Sequence, residues 1–321
     1  MALNTFRQES ANNTLIELEE QRKAVAALKI KSYLFIAGGI IIIAAAIITG
    51  ALAIPGAVTG GIILITGLVF ISKTNAKFSD YRHSFKQNVV PIALKTIDNS
   101  LEIDYTTGLS ESDFIYSQLF SKEPDRYRSE DQISGTAGKT KFSFSELHAE
   151  YKTVTQTKNG RQEHWHTILK GIVFCADFNK NFNGVTVVRP KDMGAALGAW
   201  ISKAMPIFSS SGKELVQLEN PEFNDEFVTY STDQVEARYI LTPAMMERLC
   251  ELNKRCSYAI SISFIDTCVF IAFPLNKDYF EPPVHKSLLD PDFLNEDTEV
   301  IRFMYGIIKD LDLNTRIWTK V

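Results

Sequence analysis

The sequence predicts an α+β soluble domain, built of antiparallel strands with helices, attached to an N-terminal two-helix transmembrane hairpin. Three observations predict it. Residues 33–72 contain no charged side chain. Pro55-Gly56 interrupts that stretch near its middle. From about residue 99, short strand-like runs separated by Asn/Gly turns are joined by amphipathic helices, without the alternation of a βαβ fold.

The apolar stretch comes first. Crossing a hydrocarbon core of ~30 Å takes about 20 helical residues, and 33–72 is twice that. Proline lacks an N–H and disrupts a helix, and lipid offers an open backbone no partner. The expected arrangement is a helix over about 33–53, a turn near 54–56 and a helix over about 57–72. A secretory signal has an apolar region of about 7–15 residues close to the N-terminus, which this is not. A soluble helix without a polar face would have to be wrapped on all sides.

Arg22, Lys23, Lys29 and Lys31 precede the stretch, and Lys73, Lys77, Arg82 and Lys86 follow it. Basic flanks stay on the cytoplasmic side. The expectation is a multi-pass protein of a bacterial inner membrane with both termini cytoplasmic. Residues 1–32 form an N-terminal cytoplasmic helix with a partial apolar stripe (Leu15, Leu18, Val25, Leu28). Residues 73–98 form a juxtamembrane helix whose Phe78, Tyr81, Phe85 and Val89 share one face, ended by Val90-Pro91. Ala46 with Gly50, and Gly56 with Gly60, have the four-residue spacing that lets helices approach closely. They either pack the hairpin on itself or serve a homo-oligomer.

Residues 99–321 make the cytoplasmic domain. A looser Gly/Ser-containing segment near 190–213 is where two lobes would meet. LEIDYTT reads as a strand and SESDFIYSQLF as a short helix capped by Ser110. KFSFSELHAEY and HTILKGIVFCADF read as strands. NKNFNG supplies turn chemistry, with GVTVVRP as the return strand of a hairpin. LVQLEN and EFVTYS are strand-like. Thr242-Pro243 opens a helix with Met245, Met246, Leu249 and Leu252 on its apolar side. SYAISISFIDTCVFIAFP is a strand pair or one bent strand. A last amphipathic helix spans about 298–311.

Composition narrows the function. The net charge is −4. The segments flanking the apolar stretch are basic, so residues 99–321 are acidic. A nucleic-acid binder needs clustered Lys/Arg to displace counterions, so no nucleic-acid partner is expected. Cys175, Cys250, Cys256 and Cys268 form no CxxC pair. They read as buried, reduced thiols.

Few motifs carry chemistry. GTAGKT ends like a phosphate loop, but Ile133 stands where its first glycine should be, so it reads as a turn. Glu163, His164 and His166 come nearest to a ligand set. On a strand His164 and His166 share a face, yet a zinc ion needs further ligands. They read first as solvated residues beside a loop. Glu130, Asp131, Asp177 and Glu236 are candidates for acid–base or metal chemistry. Each also has a plain structural role. Asp233 with Glu236 fits a helix-start capping box, Asp177 precedes a turn, and Arg238 is placed to pair with an acid.

YRSEDQISGTAGKTKFSFSEL (127–147), KGIVFCADFNKNFNGVTVV (170–188), LENPEFNDEFVTYSTDQVEARYILTPAMMERL (218–249) and LDLNTRIWTK (311–320) carry a resemblance. The chain resembles a family of bacterial membrane proteins, domain of unknown function thirty-one thirty-seven. The resemblance implies two apolar helices ahead of a C-terminal domain and brings no activity or cofactor with it. The expected function is a membrane-anchored binding or interaction protein with an unknown protein partner, held in the bilayer by residues 33–72. The alternatives are a membrane-tethered enzyme such as a metal-dependent hydrolase, and a component of an oligomeric membrane assembly.

Overall fold

The structure is a computed structural model, and it describes residues 2–49, 53–157, 160–178, 180–191, 212–290 and 292–313. The chain divides into two compact units. One comprises residues 1–93 and 280–296, the other 94–279 and 297–321.

The first unit is built on two long helices. α1 (Ala2–Thr49) carries the N-terminal segment and the first apolar run without a break, and α2 (Ala53–Asn88) carries the second. Both are long and apolar enough to cross a membrane. Their apolar surface points outward, with Ile48 83% and Ile54 79% exposed. The turn expected near 54–56 is not there. Ile54, Pro55 and Gly56 belong to the first turn of α2, where a missing N–H costs nothing because the first amides of a helix have no partner in any case. α1 ends at Thr49 and α2 begins at Ala53; residues 50–52 lie outside the described residues.

Small residues set how closely the helices approach. A β-carbon on Gly60 would fall 2.5 Å from Ile43 Cγ1 and 3.0 Å from the Gly39 carbonyl oxygen. One on Gly39 would meet Leu64 Cγ at 2.7 Å and the Gly60 oxygen at 3.0 Å. Gly56 faces Ala46 and Gly67 faces Ile36 in the same way. Ala46, Gly56 and Gly60 therefore pack the hairpin on itself, while Gly50 lies outside the described residues. The hydroxyls of Thr59, Thr66 and Thr74 donate to the carbonyls of Pro55, Ile62 and Phe70, so their polarity is satisfied within the helix.

Further along α2, Tyr81 and Phe85 are fully buried, and the buried Val89 links α2 to α3 (Val90–Ile97). The segment 280–296 packs within this unit, with Phe293 edge-on to Phe85 at 6.3 Å.

The second unit is a nine-stranded sheet in which every pairing is antiparallel. Its strands are β1 (Glu102–Asp104), β2 (Arg126–Ala137), β3 (Thr140–Thr157), β4 (Gly160–Asp177), β5 (Thr186–Pro190), β6 (Glu214–Val216), β7 (Phe227–Ser231), β8 (Ser261–Ile265) and β9 (Cys268–Pro274), in the order β1-β2-β3-β4-β9-β8-β5-β7-β6. β5 and β6 lie either side of the segment suspected of joining two lobes. They belong to the same sheet. Most of that segment, 192–211, lies outside the described residues.

The central strands are apolar on both faces because both are covered. On one face Phe142, Phe144 and Phe174 stack, and α8 (Asn295–Asp310) lays Phe303 and Tyr305 against Phe273 and Phe142. On the other, Phe114 of α4 (Glu111–Tyr116) joins Leu147, Leu169, Val173 and Phe270 in a buried cluster. A strand buried on both faces shows a continuous apolar run rather than period-two alternation, as CVFIAFP does, whereas SISFI alternates and buries Ser261 and Ser263 as well.

Local signals act as expected at several helix starts. Ser110 accepts the Asp113 N–H at 3.0 Å, and Thr242 caps α7 (Pro243–Lys254) by accepting from Met245. The expected hairpin of HTILKGIVFCADF with GVTVVRP does not form. β4 pairs with β9, whereas β5 pairs with β7 and β8. The turn residues 180–184 do bend the chain, but the wholly apolar β9 is the better cover for the centre of β4. LVQLEN is strand only over β6. A short helix, α5 (Pro221–Glu226), capped by Asn220, follows it.

Replacing Gly60 by leucine should force the helices apart, at about 1–3 kcal/mol for overpacking. Gly61→Leu, where an added β-carbon meets nothing within 4 Å, should cost far less. Helix content followed through a detergent-unfolding titration measures both. Equal losses would refute the close approach.

Candidate functional site

A polar cleft of the sheet lies where two strands are interrupted. The β2–β3 register shifts between Glu130 and Ile133, and the β3–β4 register shifts between Ala149 and Glu150. Bulges of this kind re-aim side chains. Asp131 takes φ 57°, an uncommon conformation for a residue with a side chain, and is buried. Gly171 takes φ +151°, and a β-carbon there would fall 2.1 Å from the Phe273 carbonyl oxygen, so only glycine fits.

Between the bulges lies a cleft of about 110 Å³, lined by Arg128, Glu130, Glu146, His148, Lys170 and Asp278 among others. Its charges are largely matched. Arg128 pairs with Glu130 at 3.1 Å, Lys170 pairs with Asp278 at 3.0 Å, and Glu146 accepts the Tyr279 N–H at 2.6 Å. Ligand pockets are usually ~300–1,000 Å³, so this cleft suits an ion or a few waters rather than an organic substrate.

The sequence-derived candidates occupy separate places. Glu130 and Asp131 sit at the β2 bulge. Asp177 ends β4 opposite Cys268. It is five residues beyond Ile172, the partner of Glu146, or about 16 Å along the strand. Glu236, in α6 (Gln234–Ile240), accepts the backbone N–H groups of Asn183 and Gly184 at 2.9–3.1 Å and lies 3.7 Å from the Lys180 ammonium. It fastens the turn before β5. Only half of the expected capping box forms, because Asp233 accepts from Val235 and Glu236 while Glu236 reaches the turn instead. Arg238 donates to Gln234 and, among the described residues, not to an acid.

His164 and His166 share a face of β4 near its exposed end. His166 stacks on Tyr151 at 4.9 Å and lies 2.8 Å from the Thr153 hydroxyl, while His164 is exposed. GTAGKT forms the tight β2–β3 turn, with Gly138 at φ 66°.

Two polar centres carry no sequence motif. The first is the buried pair Arg189 and Lys213. Arg189 donates to the Leu119 carbonyl at 3.0 Å, and Lys213 donates to the Gln118 side chain. Burial pulls both cations below their ordinary values, and the neighbouring Arg189 charge lowers Lys213 further.

The second centre is Glu19, in the first unit. Arg22 holds both its carboxylate oxygens in a fork at 2.8 Å, and the Leu288 N–H donates at 3.0 Å. Arg22 also donates to the Val284 carbonyl at 2.7 Å, Tyr81 donates to Pro283 at 2.9 Å, and Glu281 bridges Arg82 and Lys86. The fork from Arg22 outweighs the cost of burial and, with the Leu288 amide, holds the Glu19 carboxyl at about 2. A glutamate three residues before an arginine is a readable helix pair. The partner backbone more than 250 residues later is not readable.

Residues 167–313 match a known family. Its description is Protein of unknown function (DUF3137). The DUF3137 region runs from the inner half of β4 to the end of α8 and takes in the quoted stretches 170–188 and 218–249, with 127–147 ahead of it. No curated protein matches the sequence. The structure is similar to the crystal structure of the mycobacterial trehalose monomycolate transport factor A, TtfA, at 11% identity and a TM-score of 0.35, covering 72% of this chain and 93% of that one. A likeness this distant carries no argument about activity.

Two measurements check these readings. Glu236→Gln should lower the denaturation midpoint of the full chain by the equivalent of about 1.5–3 kcal/mol, the range for hydrogen bonds to a charged group. An unchanged midpoint would remove Glu236 as the clasp on residues 183–184. A carboxylate held below its free value of 4.5 adds stability above that value and loses it as pH falls towards 2. Hydrogen exchange at the Leu288 amide should therefore accelerate, after correction for intrinsic rate, as pH drops from 4.5 to 2. In Glu19→Gln that pH dependence should vanish.

Proposed function

We propose that the protein is a multi-pass inner-membrane protein with both termini cytoplasmic, and that its sheet domain binds a protein partner at the cytoplasmic face. The observation that carries the anchoring is the charge distribution along the helix pair. Between Glu20 and Asp80 there is no carboxylate, and the cations there (Arg22, Lys23, Lys29, Lys31, Lys73, Lys77) all fall at one end of the pair. The other end has none. Helices with outward-facing isoleucine over most of their length and charge at one end are what a bilayer crossing requires.

The binding role rests on the strand edges. β2 stops opposite Glu150, and β9 stops opposite Gly171. Beyond those points, among the described residues, β3 and β4 form ladder pairs only with each other, out to Thr157 and Gly160. Apart from the Lys152 N–H, which donates to Asp125, and the Lys170 carbonyl, which accepts from Leu275, such a ribbon offers edge backbone groups with no ladder partner among the described residues, and these accept a further strand. The separate structural uses of Glu130, Asp177 and Glu236 weigh against a shared hydrolytic centre.

Topology is tested with a membrane-impermeant maleimide on intact cells. Ala53→Cys should label from outside, and Ser79→Cys only after permeabilisation. The reverse pattern would overturn the orientation. For the binding role, in-membrane cross-linking should yield a discrete heteromeric adduct that is lost when Val154 and Gln156 are replaced by proline. An adduct unaffected by those changes would refute the role of the ribbon.

A further inference from the structure

The antiparallel register of the two helices brings their lysines to one level. Gly39 faces Leu64 and Gly60, Gly60 faces Ile43, and Gly67 faces Ile36. Continuing that register from the Ile36–Gly67 contact by less than two turns sets Lys73 level with Ile30, between Lys29 and Lys31. Lys77 follows one turn further. Successive helical residues are about 100° apart, so Lys29 and Lys31 leave α1 on different sides. Lys73 and Lys77, four residues apart, leave α2 on one side, so the four lysines point away from the pair in about three directions. Lys31, Lys73 and Lys77 are exposed and Lys29 is half-buried. Among the described residues none of the four is paired with a carboxylate.

Directly above this collar lie aromatic residues. Phe35 stacks on Phe70 at 5.4 Å across the pair, and Tyr33 is largely exposed. From Tyr33 to Thr49, α1 rises about 25 Å, and from Ile54 to Ser72, α2 rises about 28 Å. Both lengths approach the ~30 Å of a hydrocarbon core. The aromatic residues therefore fall at the depth of the interface, and the lysines at the depth of the phosphates.

We propose that Lys29, Lys31, Lys73 and Lys77 form a binding collar for the phosphate groups of anionic phospholipids in the leaflet that holds the termini. The proposal rests on the membrane reading above and adds the class of lipid. The cations are spread around the helices rather than gathered in a pocket, which suits several headgroups at a charged surface and not one soluble anion. Lysine stems also reach from the apolar level to the headgroups. Each lysine near an anionic surface is worth about a fivefold preference at low ionic strength, and added salt reduces it.

The test uses the full chain reconstituted in vesicles of equal phosphatidylglycerol and phosphatidylcholine, with the K29Q/K31Q/K73Q/K77Q variant in parallel. Carbonate extraction reads insertion. The lipid retained after gentle detergent solubilisation reads the collar. Wild type should resist carbonate and retain phosphatidylglycerol at least about fivefold over phosphatidylcholine. The variant should resist carbonate equally and retain the lipids in bulk proportion. An inserted wild type without enrichment, or an inserted variant with undiminished enrichment, would overturn the collar and leave the membrane reading standing. Extraction of wild type by carbonate would overturn both. Displacement of the retained lipid by inorganic phosphate at matched concentration would show that the site takes a free anion and overturn the lipid assignment.

Discussion

The close approach of Gly39 and Gly60 is the contact on which the helix pair depends. The stretch 33–72 has no charge with which to hold one helix to another. Most of its described apolar side chains face outward, so burial alone does not fix a partner face. What remains is van der Waals contact and backbone proximity. Each of the two glycines leaves the space into which the other's carbonyl oxygen fits, at 3.0 Å from the missing β-carbon. That mutual fit sets both distance and register, and register in turn decides which residues share a level at the charged end.

The helix pair is legible in the sequence because its signals are local and strong. Length, absence of charge and basic flanks need no tertiary knowledge. The exact turn is not legible, because Pro55 ends one helix and opens another equally well. The sheet shows the same division. Ser110, Asp233 and Thr242 are readable as caps since the group each satisfies lies two or three residues away. Strand pairing is not. Asn-rich turn chemistry after β4 points to β5 as its neighbour, while the true neighbour, β9, lies some ninety residues on. Long-range partner choice follows from which apolar faces match, and a single strand does not carry that information. The helix at Pro221 is hidden although Asn220-Pro221 is a proper start, because the apolar LVQL run ahead of it suggests that the strand continues.

The polar centres divide similarly. The carboxylates picked out by type and setting, Glu130, Asp131, Asp177 and Glu236, are real features of the fold, but residue type alone does not show whether they converge. Asp177 and Glu130 stand on strands at different heights, and Glu236 is spent on the amides of a turn. Arg189 and Lys213 give no warning, since a cation beside apolar residues in sequence normally reaches solvent. Burial of both appears only when Leu119 and Gln118, from a distant loop, are brought against them.

Glu19 shows why one such centre persists although it is expensive. A lone carboxylate in a buried position would neutralise itself rather than stay charged. Here the Arg22 fork keeps it ionised, and its remaining capacity is met by the Leu288 amide. Apolar packing such as that of Phe293 on Phe85 would tolerate a shift of the segment by a residue. The hydrogen bonds to the Val284 carbonyl, the Pro283 carbonyl and the Leu288 amide would not, because each has one donor and one acceptor at a fixed spacing. The polar set therefore selects a single register for residues 280–296 within the first unit, and the apolar contacts supply most of the adhesion.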